Sequence, residues 1–159
     1  MSIESLTIRR AEPDDCDAVY EMFTASSVYT GTLQLPYPSR EYWRRRLSEN
    51  TDSVYYLVGI IEGNIVGMAH VATFNRPRRS HAGAIGISVH ADWQGKGVGK
   101  ELMRAIVNLA DNWLNLTRLE LEVYAATRWQ SVCMNVLDLK LKEDCDNMPT
   151  ATANLLIQS

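Results

Sequence analysis

The segment Gln94-Gly95-Lys96-Gly97-Val98-Gly99-Lys100 constrains this chain most, because its three alternating glycines separate a β-rich run from a helix-forming one. The run before it, Ala82 to Val89, reads as a strand. The run after it places Val98, Leu102, Ile106, Leu109 and Trp113 at spacings of four, four, three and four, one apolar stripe on a helix that must lie against a sheet. A strand that turns directly into a helix points several backbone N–H groups, and the positive end of the helix dipole, at one spot suited to an anion. Glycine at 95, 97 and 99 keeps side chains out of the way of a phosphate and permits φ angles that other residues avoid. A glycine cluster before a helix is also a common tight turn, so the rest of the chain has to decide between the two.

Elsewhere the chain alternates short elements. Leu6 and Ile8 alternate with polar neighbours, and Pro13-Asp14-Asp15 then opens a helix carrying Ala18, Val19, Met22 and Phe23, with acidic residues in its first turn. A loop with Pro36 and Pro38 follows, and Ser39 is placed to cap a second helix through Glu41, Tyr42, Trp43 and Leu47. Ser53 to Ile61 and Ile65 to Phe74 flank Glu62-Gly63-Asn64 as a hairpin. A basic loop, Asn75 to Ser80, leads into the strand before the glycines. Asn115 and Thr117 end the long helix, and Arg118 to Tyr124 alternates as a further strand with Leu119, Leu121 and Val123 on one face. The order is strand, two helices, three strands, helix, strand, without repeats or low-complexity linkers. It predicts one domain of the α/β (α+β) class.

At 159 residues the chain is long enough for one core that buries roughly 70% of the unfolded surface. A net charge of −3 supplies no basic field, so neither nucleic acid nor an anionic membrane is expected as a partner. Cys16, Cys133 and Cys145 are odd in number and have no close pair, which argues against a disulfide framework or a metal site. No apolar signal core opens the sequence, and the longest apolar stretch, around Ile65 to Phe74, is too short to span a bilayer, so a cytoplasmic protein is expected.

Spacing excludes two familiar phosphate loops. A Walker loop needs Gly-Lys followed by Ser or Thr, and Gly99-Lys100 is followed by Glu101. A dinucleotide loop needs G-x-G-x-x-G after the first strand of a parallel sheet, whereas this is G-x-G-x-G late in an antiparallel-looking order. Gln94, Gly97 and Gly99 instead match R/Q-x-x-G-x-G/A, and with the preceding Ile85-Gly86-Ile87-Ser88-Val89-His90 the region resembles the central strand and pyrophosphate loop of GNAT (GCN5-related) N-acetyltransferases. The resemblance covers roughly residues 1–125. It implies a mixed, mostly antiparallel sheet flanked by helices, with acetyl-CoA as co-substrate and a primary amine as acceptor.

The same resemblance assigns roles. Backbone pairing with the pantetheine arm falls on Ile87, Ser88 and Val89, and the pyrophosphate on Gln94, Gly95, Lys96, Gly97, Val98, Gly99 and Lys100. The thioester carbonyl is expected near the Val89 amide, where an N–H stabilises the oxyanion. Thr32-Leu33-Gln34-Leu35-Pro36, Pro38-Ser39, Trp43 and Arg76-Pro77-Arg78-Arg79-Ser80-His81 are similar to bacterial L-amino-acid N-acetyltransferases, which implies the α-amino group of a free amino acid. Arg78 and Arg79 are candidates for a substrate carboxylate or a CoA phosphate, against the plainer reading of a solvated loop. His81, Glu122 and Tyr124 are candidates for proton transfer or for the wall of the site, against ordinary structural roles. Trp43 and Trp113 are expected to pack in the core or against a helix.

Beyond Tyr124 the chain departs from the family, which continues with an asparagine, a helix of the form A-x-x-x-Y-x-x-x-G-F and two strands. Ala126 to Ser159 contains no glycine. Read one base out of frame, Thr127 to Asn154 is codon-compatible with the missing pattern, and loss of one base at codon 126 accounts for the change. The expectation is a frameshifted tail, residues 126–159, that lacks the family's last helix, its proton-donating tyrosine and its last strands. The edge after Tyr124 would then be open, and low stability, aggregation or a swapped homodimer would follow unless the tail covers it.

Overall fold

The computed structural model describes residues 3–24, 35–49, 52–124, 141–144 and 150–157, as backbone alone at 122–124, 141–144 and 150–156. Strand β1 (Thr7–Arg10) is followed by helices α1 (Cys16–Thr24) and α2 (Arg40–Ser48), then by β2 (Val54–Ile61), β3 (Asn64–Thr73) and β4 (Ala82–Val89). Helix α3 (Val98–Asn112) follows the glycine loop, and β5 (Arg118–Tyr124), β6 (Leu141–Asp144) and β7 (Thr150–Leu156) complete one sheet in the order β1-β2-β3-β4-β5-β7-β6. All neighbours are antiparallel except β4 and β5.

Local chemistry explains the boundaries. Glu62 and Gly63 both take positive φ, 50° and 79°, the twist that a tight β2–β3 hairpin requires. The Ser39 hydroxyl accepts the Tyr42 N–H at 3.3 Å and starts α2. Arg9 donates twice to Asp15 at 2.8 Å, tying β1 to the entrance of α1.

Two apolar layers form on opposite faces of the sheet. On one, Val19, Met22 and Phe23 of α1 and Trp43 of α2 cover Tyr56, Val58 and Met68, with the Phe23 and Trp43 rings stacked at 4.5 Å. On the other, Val98, Leu102, Met103, Ile106 and Ala110 of α3 cover Val66, Ala69, Val71, Ile85, Val89, Leu119 and Leu121. Approach is close there: a Cβ at Gly67 would lie 2.8 Å from Leu102 Cδ1.

Two expectations are corrected. Trp43 is buried as expected, but Trp113 is 77% exposed. The Trp113 and Leu114 N–H groups both bond to Leu109 O, Asn115 turns the chain at φ 54°, and Leu116 enters the core instead. The strands expected to be lost from the tail are present as β6 and β7. Strand β7 pairs along all of β5, from Arg118↔Leu156 to Tyr124↔Thr150, so that edge is closed. Ladder hydrogen bonds are made by the backbone, and the β-branched Thr150 and Thr152 suit a strand without any family motif. The missing helix, over 127–137, falls outside the described residues.

Candidate active site

Strands β4 and β5 run parallel but pair only from Ala82↔Arg118 to Ile85↔Leu121. Beyond that point each follows its outer neighbour. Strand β4 stays on β3 to Val89, and β5 stays on β7 to Tyr124. A gap therefore opens in the middle of the sheet at Gly86.

Strand alternation fixes what faces the gap. The His90 N–H bonds to Val66 O at 2.8 Å, which makes the even-numbered residues of β4 the hydrogen-bonded partners of β3. The backbone groups of Ile87 and Val89 consequently turn toward the gap, whereas those of Ser88 are directed to Met68. Unpaired strand groups of this kind require a partner. The Val89 carbonyl has one, since it accepts from Gln94 Nε2 at 3.1 Å.

After β4, the Asp92 N–H bonds to the His90 ring at 3.2 Å and shapes a short turn. Gly95 and Gly97 then take φ 72° and 94°, left-handed values costly for any other residue. Gly97 caps α3 without a side chain, and the first N–H to bond back along the helix is that of Glu101, to Gly97 O at 3.2 Å. The amides preceding it point out of the helix end. The Lys96 ammonium sits 5.0 Å over the Trp93 ring beside them. Gln94 to Lys100 thus follow the Ile87/Val89 edge directly along the chain, bringing the unpaired strand N–H groups and the amides at the start of α3 onto one run of backbone.

Other candidates are not brought to this surface. His81 is exposed at the opposite end of β4, about 25 Å from Val89 at 3.3 Å per residue, and its carbonyl accepts the Thr117 and Arg118 N–H groups. Arg78 and Arg79 lie in the β3–β4 connection at that same far end. Arg79 donates to both oxygens of Glu120 at 3.0 and 2.9 Å and stacks on Phe74 at 4.0 Å, so its charge is already engaged. Glu122 and Tyr124 belong by backbone to the part of β5 beyond the gap's apex, opposite Thr152 and Thr150. Their side chains lie outside what is described. Among the described residues no group of three or more His, Cys, Asp or Glu can hold a metal, and no helix is long and apolar enough to cross a membrane.

His70 on β3 escaped the sequence reading. It is in register with Tyr56 on β2 and with Gly86 on β4. Its ring fills the place of a missing side chain: a Cβ on Gly86 would be 2.3 Å from His70 Cε1. The Tyr56 ring is 5.5 Å away, and its hydroxyl accepts from Arg46 Nε at 2.6 Å. Burial, with the Arg46 cation behind it, pushes the imidazole down to about 4, so it is neutral at neutral pH. The signal available in the sequence was a histidine facing a glycine across two strands, visible only once their register is known. On the same face of the sheet, a cleft of about 450 Å³ opens between α1 and α2, lined by Phe23, Pro36, Tyr37, Tyr42 and Trp43 among others.

Comparison with known proteins agrees with this geometry. The model of the acetyltransferase (GNAT) family matches residues 17–129. The L-amino acid N-acetyltransferase AaaT of Escherichia coli K12 is 38% identical over 122 residues, 77% of this chain and 75% of that protein. Among solved structures, a GNAT acetyltransferase from Streptococcus pneumoniae superposes with a TM-score of 0.79 at 20% identity, covering 96% of this chain and 99% of that one. A phosphinothricin acetyltransferase from Sinorhizobium meliloti, in complex with AcCoA, gives 0.81 at 21% identity, covering 96% and 89%. Strand, gap, glycine loop and family match converge: the chain belongs to the GNAT family of acetyl-transferring enzymes.

Proposed function

We propose that this protein transfers the acetyl group of acetyl-CoA to a primary amine, the α-amino group of a free amino acid. The observation that carries the reading is the edge of Ile87 and Val89, which turns into the gap and runs directly into the Gly95–Gly97 loop. An extended pantetheine chain with its amides pairs with such an edge as an added strand would. The pyrophosphate then meets the amides at the start of α3 and the dipole of a 15-residue helix, with Lys96 beside it.

In the reaction the amine nitrogen attacks the thioester carbonyl carbon, and the carbonyl π electrons move to oxygen. The Val89 N–H, directed into the gap, stabilises that oxyanion. The attacking nitrogen gives up one proton, collapse re-forms the carbonyl and breaks the C–S bond, and the departing CoA thiolate takes up a proton, so the products are the N-acetyl amine and CoA-SH. The free amino acid as acceptor is supported by the likeness to AaaT. The cytoplasm, where acetyl-CoA and amino acids meet, is part of the same reading.

Calorimetric titration of acetyl-CoA into the protein tests the first half, with Gln94→Ala as comparison; saturable binding weakened by the substitution is expected. A panel of L-amino acids, peptides and aminoglycosides, followed by thiol release and by mass spectrometry of the product, tests the second. Acetyl-CoA binding without any acetylated product would make the protein a CoA-binding domain and refute the enzyme reading. Acetylated peptides alone would move the acceptor to protein amino termini.

A further inference from the structure

We infer that His70 receives the amine, its imidazole accepting an N–H of the attacking nitrogen and taking that proton as the C–N bond forms. The inference rests on the acetyl-transfer reading above and adds the residue that handles the proton. It stands on where the gap opens and on which face of the sheet is less buried.

The gap begins at Gly86, the first residue of β4 past its last pair with β5, and the His70 ring stands directly on Gly86. The carbonyl of a thioester bound along the Ile87/Val89 edge lies in the plane of the sheet, so the amine has to arrive from above or below. Below, Ile85, Val89, Leu102, Ile106 and Leu121 close the α3 face as continuous core. On the face toward α1 and α2, Ala84, Gly86 and Ser88 of β4 are only half-buried among the described residues. There β4 presents Gly86, whose missing side chain is replaced by the His70 ring, and Ser88, whose small side chain leaves room above the carbonyl beside that ring. His70 is a titratable side chain at the edge of the opening, because its ring stands on Gly86.

Its surroundings keep the ring neutral and ready to accept a proton, while burial and Arg46 make the imidazolium costly, so the proton is held only until the C–S bond breaks. The groups facing it are Tyr56 from β2 and Arg46 from α2, with Tyr42 bonded to Arg46; Gly86 contributes no charge from β4. Among the described residues no hydrogen bond to either His70 ring nitrogen occurs, so a neutral imidazole keeps its lone pair for a ligand. The same Arg46 cation that disfavours a protonated imidazole disfavours an ammonium ion arriving beside it, and so selects the neutral, nucleophilic amine.

The proton balance closes without another group. The neutral amine attacks, the carbonyl oxygen becomes negative, and the new nitrogen cation passes one proton to the His70 imidazole. As the C–S bond breaks, the sulfur leaves with the bonding pair. The imidazolium, a stronger acid than the CoA thiol, returns the proton to sulfur. The products are the N-acetyl amine and CoA-SH, with His70 neutral again.

The test compares wild type with His70→Phe, His70→Gln and His70→Ala under saturating acetyl-CoA. Calorimetric affinity for acetyl-CoA should stay within about threefold in all of them, because His70 does not touch the donor's edge. The value of kcat should fall by about 10²–10³, the scale of one lost proton-transfer group, with a much smaller change in KM. Added imidazole should restore part of the rate to His70→Ala and none to His70→Phe, whose ring fills the space; a purely structural role predicts neither result. Should His70→Phe misfold, His70→Gln supplies the kcat comparison. Folded variants that bind acetyl-CoA and turn over within about threefold of an active wild type overturn the His70 assignment alone. A wild type that binds acetyl-CoA and acetylates no amine overturns the acetyl-transfer reading, and this inference with it.

Discussion

Adding one methyl group at Gly86 is the sharpest test of the packing at the gap. In Gly86→Ala the new Cβ would lie 2.3 Å from His70 Cε1, 2.9 Å from Nδ1 and 3.1 Å from Nε2. Carbon atoms rest about 3.5–4.0 Å apart, so the overlap exceeds about 1 Å. The ring has little room to retreat, with Tyr56 beside it and Arg46 beyond. Overpacking of this kind costs about 1–3 kcal/mol. Against it stands a gain of about 0.4–1 kcal/mol, because Gly86 does not adopt a positive φ and alanine stiffens the unfolded chain. The net expectation is a loss of about 1–2 kcal/mol, a fall in Tm of about 2–8 °C for a chain of this size. In a His70→Ala background the obstacle is gone, and the same substitution should be neutral or stabilising by up to about 1 kcal/mol. Urea unfolding of the four proteins gives the coupling, expected at about 1–3 kcal/mol and favouring the double variant. Equal destabilisation in both backgrounds would refute the account of His70 as the occupant of the missing side chain.

Three further outcomes are expected. Gly97→Ala forces a side chain into φ 94° and to within 3.1 Å of Ile3, so Tm should fall by several degrees, about 1–2 kcal/mol, and acetyl-CoA affinity by at least about tenfold in calorimetry. The folded-state pKa of His70 is lowered from 6.5 to about 4, so the unfolded chain binds more protons between those values. Stability is then full above about pH 6.5 and declines toward pH 4 by on the order of 2–3 kcal/mol, and urea midpoints for His70→Phe should lack that slope. The Arg9 hydrogen bonds hold the Asp15 carboxyl below its usual range, so its contribution is present above about pH 4 and lost as the pH falls below that. Asp15→Asn should cost about 1 kcal/mol at pH 7 and leave the decline between pH 6.5 and 4 in place.

How much was legible depended on how local the cause was. The hairpin at Glu62-Gly63, the cap at Ser39, the strand Ala82–Val89 and the loop after it all rest on neighbours in sequence, and the structure places them where spacing does. Trp113 was misread because a helical stripe does not announce its last turn; Asn115 ends the helix, and Leu116 takes the buried place. The gap itself is a relation between two strands, each drawn away by a different partner, and no spacing within either strand encodes it. His81 and Arg79 looked chemical in a linear reading and lie at the wrong end of β4. His70, inside an ordinary β-rich run, acquires meaning only from Gly86, 16 positions away and directly opposite. The tail was judged by its missing motif, yet backbone pairing beside β5 asks for extended chain and little else.

The position of β7 also sets an order of events during synthesis. It lies between β5 and β6, inside the sheet, although β5 ends at Tyr124 and β7 begins only at Thr150. At about 5–20 residues per second, a ribosome needs on the order of 1–5 s to make the intervening stretch. Until β7 emerges behind it, a β5 that has docked has one flank held by just four pairs to β4 and the other flank bare. Slowing elongation or crowding nascent chains on one message lengthens the exposure of that flank, whereas post-synthetic refolding, with β7 present from the start, does not.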